Sequence, residues 1–159
     1  MVNHELLTEE QQTRLAYCDQ LHLYARALEQ LSADRIADLV ALTHPDIRFR
    51  DPFHQSQGQE VFARILSEMY MRLDHVTFEV HQIAPSHHHE QPGGFLHWTF
   101  MASSQRTGAF SFQGTSRIEI DEAGLVSVHE DYWDSADLYR QVPGLKVFIR
   151  WLTRKVATA

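Results

Sequence analysis

The segment from Gly124 to Asp134 constrains the fold more than any other part of the chain. It reads Gly-Leu-Val-Ser-Val-His-Glu-Asp-Tyr-Trp-Asp, and an extended backbone sends successive side chains to opposite faces of a strand. One face then carries His129, Asp131 and Trp133 in a row. Side chains two positions apart on one face lie roughly 6.5–7 Å apart, so His129 and Asp131 could share a ligand. We therefore expect this strand to form one wall of a pocket.

Helical and strand-like patterns alternate upstream of this segment. Apolar residues recur three or four positions apart over about 8–31, 33–42 and 59–73, which predicts three amphipathic helices. Thr8 and Gln11 have the spacing of a capping box at the first helix, and Ser32 is predicted to cap the second. A polar loop is expected over 55–58. Strands are predicted at 47–50, 76–83, 95–102 and 108–120, and a turn at Asp121–Gly124 leads into the last strand.

Two more helices are predicted after the last strand, one from Ser135 and one from Pro143 to about Val156. The apolar face of the final helix is expected to pack against the rest of the domain or against a second subunit. This order predicts an α+β fold: a cone-shaped, curved antiparallel sheet with the N-terminal helices on its concave face, plus an extra C-terminal helix. We expect residues 1–159 to form a single domain.

Composition narrows the class of partner. The net charge of −7 argues against binding to nucleic acid or to an anionic membrane surface. No apolar run approaches the ~18 residues of a membrane-spanning helix, and the single cysteine, Cys18, fits a reducing compartment. A cytoplasmic protein is therefore predicted. No cofactor is predicted, since the chain has no glycine-rich phosphate loop, and no metal either, because consecutive histidines such as His87, His88 and His89 rarely converge on one ion.

The element order and two local patterns resemble the nuclear transport factor 2-like superfamily, which includes ketosteroid isomerases, SnoaL-like polyketide cyclases and limonene epoxide hydrolases. The patterns are Phe-Arg-Asp-Pro-Phe at 49–53 and the segment 124–134. The resemblance extends from about Leu21 to Trp133 and implies the cone-shaped fold. It does not imply a particular reaction, because such folds carry many unrelated activities.

The ketosteroid isomerases suggest two catalytic residues in this chain. They use an Asp-Pro at the end of the first strand for proton transfer, which implies this role for Asp51. A Tyr on their first helix stabilises an oxyanion, and Tyr24 matches it, with Tyr17 as a competitor. Their protonated oxyanion Asp corresponds here to Ser116, whose hydroxyl can donate a hydrogen bond but is far less acidic.

The polyketide cyclases are a closer match, because they too carry a His and an acid/base Asp in the pocket. This likeness implies catalytic roles for His129 and Asp131, while Phe53, Phe112, Ser116 and Trp133 are predicted to contact the ligand. The Asp-Arg-Asp site of epoxide hydrolases is not matched, since Arg117 alternates with Ser116 and should point outward. The pocket is expected to carry Asp51 on the rim opposite the last strand.

Each of these roles has a structural alternative. Asp51 could cap a turn, His129 and Asp131 could form a mutually satisfied buried pair, and Tyr24 and Trp133 could belong to the core. Three functions therefore stay open. They are a cofactor-independent proton-transfer enzyme acting on an apolar carbonyl compound, a non-catalytic module that binds a small apolar molecule, and an interaction protein that forms a homodimer through the outer sheet face.

Overall fold

A six-stranded sheet forms the frame of the computed structural model, which describes residues 8–86, 92–142 and 145–156. The strands are β1 (Thr43–Arg50), β2 (Gln55–Gln57), β3 (Asp74–Pro85), β4 (Gly93–Ser104), β5 (Gly108–Ile120) and β6 (Val126–Trp133). The helices are α1 (Glu9–Glu29), α2 (Ile36–Val40), α3 (Gln59–Arg72), α4 (Ser135–Tyr139) and α5 (Leu145–Val156). The predicted α+β class and the curved, mostly antiparallel sheet are confirmed. His87–His89 and Pro143 lie outside the described residues.

The strand order is β2-β1-β6-β5-β4-β3, and one pairing in it is parallel. β1 runs parallel to β6 with Phe49 opposite His129 and Arg50 opposite Glu130, whereas the other pairs are antiparallel. The next residue on each of these two strands is Asp51 after Arg50 and Asp131 after Glu130. The parallel register therefore makes Asp51 and Asp131 neighbours on the same face. The expectation that Asp51 lies on the opposite rim is wrong, because it assumed an antiparallel first strand.

Helices α1 and α3 supply the apolar layer that packs on the concave face of the sheet. The Thr8 side chain accepts from the Gln11 backbone N–H and the Gln11 side chain accepts from the Thr8 backbone N–H, so the predicted capping box is confirmed. Leu21, Tyr24, Ala25 and Leu28 repeat at helical spacing and are all buried. This stripe places a tyrosine hydroxyl beneath the sheet, among apolar neighbours.

Some local predictions differ from the structure. The second helix is shorter than expected and begins after Arg35, which makes no side-chain cap; Ser32 instead bonds to Asp34. The predicted loop at 55–58 contains the short strand β2, because its backbone pairs with the end of β1. Side-chain alternation along β6 is interrupted at Ser127, where the register with β5 shifts. Val126 therefore reaches the core, although strict alternation would put it on the face opposite His129.

The turn between β5 and β6 has the predicted position. Gly124 adopts φ +80°, and the Asp121 carboxylate accepts from the backbone N–H groups of Ala123 and Leu125. A side-chain acceptor and a glycine at a left-handed position are both typical of such turns. The turn fixes the register in which β6 presents His129 and Asp131.

Candidate active site

A chain of hydrogen bonds connects five side chains from four elements beneath the sheet. The hydroxyl of Tyr24 lies 2.7 Å from Nδ1 of His129, and Nε2 of His129 lies 2.8 Å from Oδ1 of Asp131. The Ser116 hydroxyl donates to the same Oδ1 at 2.5 Å, and the Trp98 indole N–H donates to Ser116 Oγ at 2.8 Å. Side chains of α1, β4, β5 and β6 thus form one network, in which Ser116 and His129 hold one carboxylate oxygen of Asp131.

The positions of the protons follow from the inventory of donors. An ionised carboxylate only accepts, so His129 carries its proton on Nε2 and donates it to Asp131. When the ring is neutral, Nδ1 is the acceptor and takes the hydroxyl proton of Tyr24. Burial, together with the negative charge of Asp131, holds the pKa of Tyr24 well above its usual value of 10.0, which keeps this hydroxyl protonated.

Within the described part of the chain, one oxygen of Asp131 has hydrogen-bond partners and the other has none. Ser116 and His129 both bind Oδ1, and within the described residues Oδ2 has no hydrogen-bond partner. The Asp131 side chain keeps 14% of its surface exposed, against 5% for His129. Asp131 therefore presents one fixed, unoccupied carboxylate oxygen to the space beneath the sheet.

That space is a cavity of about 440 Å³. A volume of this size is typical of small-molecule sites. Asp131, His129 and Ser116 line it from β5 and β6, while Asp51 and His54 line it from the segment after β1. The remaining wall is largely aromatic: Phe49, Phe53, Phe62, Phe78, Trp98, Phe100, Phe110, Phe112, Trp133 and Tyr139.

The aromatic wall is ordered by ring contacts near Trp133. Phe112 stacks on Trp133 with ring centroids 4.3 Å apart and planes at 23°. Phe53 meets the same indole edge-on at 5.1 Å and is 49% exposed. All three predicted ligand-contacting aromatics, Phe53, Phe112 and Trp133, thus form one cluster at the cavity wall.

Tyr24 does not reach the cavity. Its side chain is 1% exposed, and it lies behind His129 rather than among the lining residues of the described chain. The resemblance implied direct contact between this hydroxyl and an oxyanion. The structure instead places His129 between Tyr24 and the Asp131 carboxylate, so Tyr24 can act on the cavity only through His129.

The carboxylate of Asp51 is engaged by its own turn. Oδ1 accepts from the backbone N–H groups of Phe53 and His54 at 2.7 and 2.5 Å, and both oxygens lie 3.0 Å from Nδ1 of His54. A carboxylate with three donors has little capacity left for a substrate proton. The capping alternative for Asp51 describes this geometry.

Two residues of this site were missed by sequence reasoning. His54 lines the cavity beside Asp51, and its position directly after Asp-Pro-Phe was the available signal. Trp98 donates to Ser116, but nothing in its strand pattern distinguishes it from a core aromatic. Its indole can lie where it does because Gly114 is its cross-strand partner; a Cβ at Gly114 would come within 2.4 Å of the ring.

Among residues 8–86, 92–142 and 145–156, no group of three or more His, Cys, Asp or Glu side chains is arranged to hold a metal ion. In the same part of the chain, none of the helices combines the length and the apolar character needed to cross a lipid bilayer.

Comparison with solved structures defines the fold class. An NTF2-like protein of unknown function from Exiguobacterium sp. 255-15 is similar, with a TM-score of 0.62 and 14% identity over 72% of this chain and 98% of that chain. A candidate polyketide cyclase from Xanthomonas campestris pv. campestris has a TM-score of 0.64 and 12% identity, over 80% and 97%. An LEH-like epoxide hydrolase from M. tuberculosis has a TM-score of 0.60 and 17% identity, over 87% and 93%. At these identities the likeness establishes the nuclear transport factor 2-like fold.

The family follows from the sequence itself. The profile of the SnoaL-like domain matches residues 24–129, so the chain belongs to the SnoaL-like domain family. A search of curated proteins found no significant match. The superfamily suggested by the sequence is thereby confirmed, and the matched region runs from Tyr24 to His129, the two residues joined by the buried hydrogen bond.

Proposed function

We propose that this protein is a cofactor-independent proton-transfer enzyme acting on a small apolar carbonyl compound, with Asp131 as the general base. The observation that supports it most is the occupancy of Asp131, in which one oxygen is held by Ser116 and His129 and the other is unoccupied beside an aromatic cavity. A fixed carboxylate within reach of a carbon-bound proton is the requirement for general-base catalysis.

The residues around Asp131 have distinct roles in this proposal. Ser116 and His129 orient the carboxylate, since both donate to Oδ1 and leave Oδ2 for the substrate. Tyr24 and Trp98 fix those two donors in turn and are positioning residues. Phe53, Phe112 and Trp133 supply the apolar surface on which the substrate lies.

The wall composition indicates the class of substrate. A cavity lined mainly by aromatic rings favours a flat or compact apolar skeleton, and the polar groups at one side favour a single carbonyl with acidic α-hydrogens. The neighbour from X. campestris is a candidate polyketide cyclase, and cyclisation or isomerisation of such compounds begins with removal of an α-proton. This first step is what the site is proposed to catalyse.

The test is exchange of α-hydrogens with solvent. Wild-type protein should accelerate deuterium incorporation into 2-tetralone in D₂O, followed by NMR, because each proton removal leaves an enolate that recaptures deuterium. Asp131→Asn should lower the protein-dependent rate by about 10²–10⁴-fold. Asp134→Asn is the matched control, since Asn also serves as the N-cap of α4 and the site is nearby. Equal rates for wild type and Asp131→Asn would refute the assignment of the base.

A non-catalytic binding module is the second candidate, and one observation favours it. Tyr24, His129, Ser116 and Trp98 satisfy one another's hydrogen bonds, as a purely structural polar network also would. Quenching of tryptophan fluorescence by 2-tetralone without any protein-dependent exchange would support the binding module over the enzyme.

We also propose that the outer face of the sheet forms a homodimer interface. Phe95, Met101 and Tyr132 are exposed there at 47%, 36% and 50%, and Tyr132 donates to Glu130, which also binds Arg117. Exposed apolar groups among ordered polar ones are typical of subunit contacts. Light scattering should give a dimer mass for wild type and a monomer mass for a Met101→Glu, Tyr132→Glu double variant, whereas dimers in both would refute this surface.

A further inference from the structure

A second histidine–aspartate pair faces the same cavity as Asp131, and the residues of this pair come from the segment directly after β1. His54 and Asp51 lie next to the end of β6 because β1 and β6 are parallel and in register. Nδ1 of His54 is 3.0 Å from both oxygens of Asp51. Two Asp–His pairs therefore border one cavity, one buried under the sheet and one at its rim.

The bonding of the rim pair determines which atom is available. Asp51 accepts from two backbone N–H groups and from His54 Nδ1, so its carboxylate is occupied. The proton on Nδ1 is directed at Asp51, and within the described residues Nε2 of His54 has no hydrogen-bond partner. His54 lines the cavity and its side chain is 43% exposed, against 15% for Asp51. His54 can thus exchange protons with solvent while Asp51 holds its ring.

We infer that His54 is a second catalytic residue of this site, a general acid that protonates the substrate carbonyl oxygen through Nε2. The inference rests on the proposed proton-transfer function. In the step, Oδ2 of Asp131 takes the α-proton, the C–H electron pair forms the C=C bond, and the carbonyl electron pair moves to oxygen. Nε2–H of the His54 imidazolium gives its proton to that oxygen. The products are the neutral enol, protonated Asp131 and neutral His54.

The position of Asp51 supports this division of roles. The carboxylate beside Nδ1 fixes the ring and leaves Nε2 as the nitrogen available to the substrate, and the imidazolium form of the ring carries a proton there. Asp51 is then a positioning residue, although the family resemblance implied that it was the base. The Ser at position 116 is consistent with this arrangement, because it lacks the acidity to protonate an enolate and the acid must come from elsewhere.

Other ionisable groups face the same cavity as His54. Glu68 and Arg72 of α3 line it as an ion pair with a 3.1 Å contact, and Tyr139 lines it from α4. Asp131 and His129 face it from β6, and both ring nitrogens of His129 are hydrogen-bonded. Among these, His54 is the exposed imidazole beside an engaged carboxylate.

The experiment compares 2-tetralone exchange in wild type, His54→Gln, Asp51→Asn and Asp131→Asn across about pH 5 to 8, the range in which histidines usually lose their second ring proton. His81→Gln on the outer sheet face is the matched control. His54→Gln should lower the rate by about 10²-fold at the acid end, and the fall in rate with rising pH that is expected of wild type should disappear. Asp51→Asn should lower the rate as well, because the carboxylate that fixes the His54 ring is gone.

The outcomes separate this inference from the proposed function. A rate and pH profile unchanged by His54→Gln, together with a large loss in Asp131→Asn, would overturn the role of His54 and leave Asp131 as the base. A loss in His54→Gln with none in Asp131→Asn would support His54 and overturn the assignment of Asp131. If wild-type protein gave no 2-tetralone exchange above the rate in buffer alone, both the proposed function and the role of His54 would be overturned.

A second measurement does not depend on turnover. In protein labelled with ¹⁵N-histidine, binding of 2-naphthol, whose hydroxyl mimics the enol, should shift the Nε2 signal of His54. The shift should persist in Asp131→Asn. An unmoved His54 signal in the presence of bound 2-naphthol would contradict the contact on which the inference depends.

Discussion

The hydroxyl of Tyr24 lies 2.7 Å from Nδ1 of His129, 105 positions further along the chain. Both side chains are almost fully buried, at 1% and 4% exposure. The bond joins α1 to β6 through the polar network that holds the Asp131 carboxylate. It links the stability of the fold to the geometry of the candidate site.

Removal of this hydroxyl should destabilise the protein. Tyr24→Phe leaves Nδ1 of His129 buried without a donor, and an unsatisfied buried group costs about 1–3 kcal/mol. Urea unfolding at neutral pH measures the loss. Tyr17→Phe on the same helix is the control, with an expected change within about 0.5 kcal/mol. A change as small for Tyr24→Phe would mean that the bond contributes little.

Stability should fall at alkaline pH. Burial holds the pKa of Tyr24 well above 10.0 and raises that of Tyr70 to about 12. The unfolded chain therefore loses these protons first, so the free energy of unfolding is unaffected below about pH 10 and declines above it. Urea unfolding at about pH 9, 10 and 11 should show this decline. It should be shallower in Tyr24→Phe; an equally steep decline would mean that other groups cause it.

Tyr70 offers a stabilising substitution. Its hydroxyl is buried and has no hydrogen-bond partner among the described residues. Folding therefore removes the hydrogen bonds that this hydroxyl makes with water and replaces them with none. Tyr70→Phe should leave stability unchanged or raise it by up to about 1 kcal/mol at neutral pH, measured by the urea midpoint. A clear loss of stability would show that the hydroxyl has a partner in solution, such as a bound water.

Gly114 should resist substitution because of Trp98. A Cβ at this position would lie 2.4 Å from the indole ring, so Gly114→Ala must displace the side chain that donates to Ser116. We expect a loss of about 1–3 kcal/mol from overpacking. In a Trp98→Phe background the ring that causes the clash is absent, and the same substitution should cost clearly less. Equal costs in both backgrounds would point to a backbone effect.

Gln141 should control access to the cavity more than stability. Its side-chain amide donates to the backbone carbonyl of Ser111 at 2.9 Å and accepts from the backbone N–H of the same residue at 3.2 Å. This pairing fixes the segment that brings Leu138, Val142 and Leu145 to the cavity wall. Gln141→Ala should weaken 2-naphthol binding several-fold, with a stability loss below about 1 kcal/mol because water can replace these exposed bonds. Gln113→Ala on the outer face is the control; equal binding by both would contradict this role.

Sequence patterns were sufficient for the elements and the family. Helical and strand periodicity depend on local burial, so α1, α3 and the four long strands follow from spacing alone, and the capping box at Thr8 is a contact between residues three apart. The Phe-Arg-Asp-Pro-Phe and 124–134 patterns were enough to identify the superfamily. Boundaries such as the start of α2 and the short β2 differ, since neighbouring strands and turns decide them.

Tertiary structure alone decided which atoms of the candidate site are available. The alternation along 124–134 put His129, Asp131 and Trp133 on one face, but the direction of β1 relative to β6 depends on pairing between residues some eighty positions apart, and this pairing sets Asp51 beside Asp131. Hydrogen bonding then engages Asp51, while His54 Nε2 and Asp131 Oδ2 have no hydrogen-bond partner in residues 8–86, 92–142 and 145–156. The identity of these residues and the turn that engages Asp51 are local information, whereas the hold on Asp131 depends on Ser116, which lies opposite it only because β5 pairs with β6 in this register.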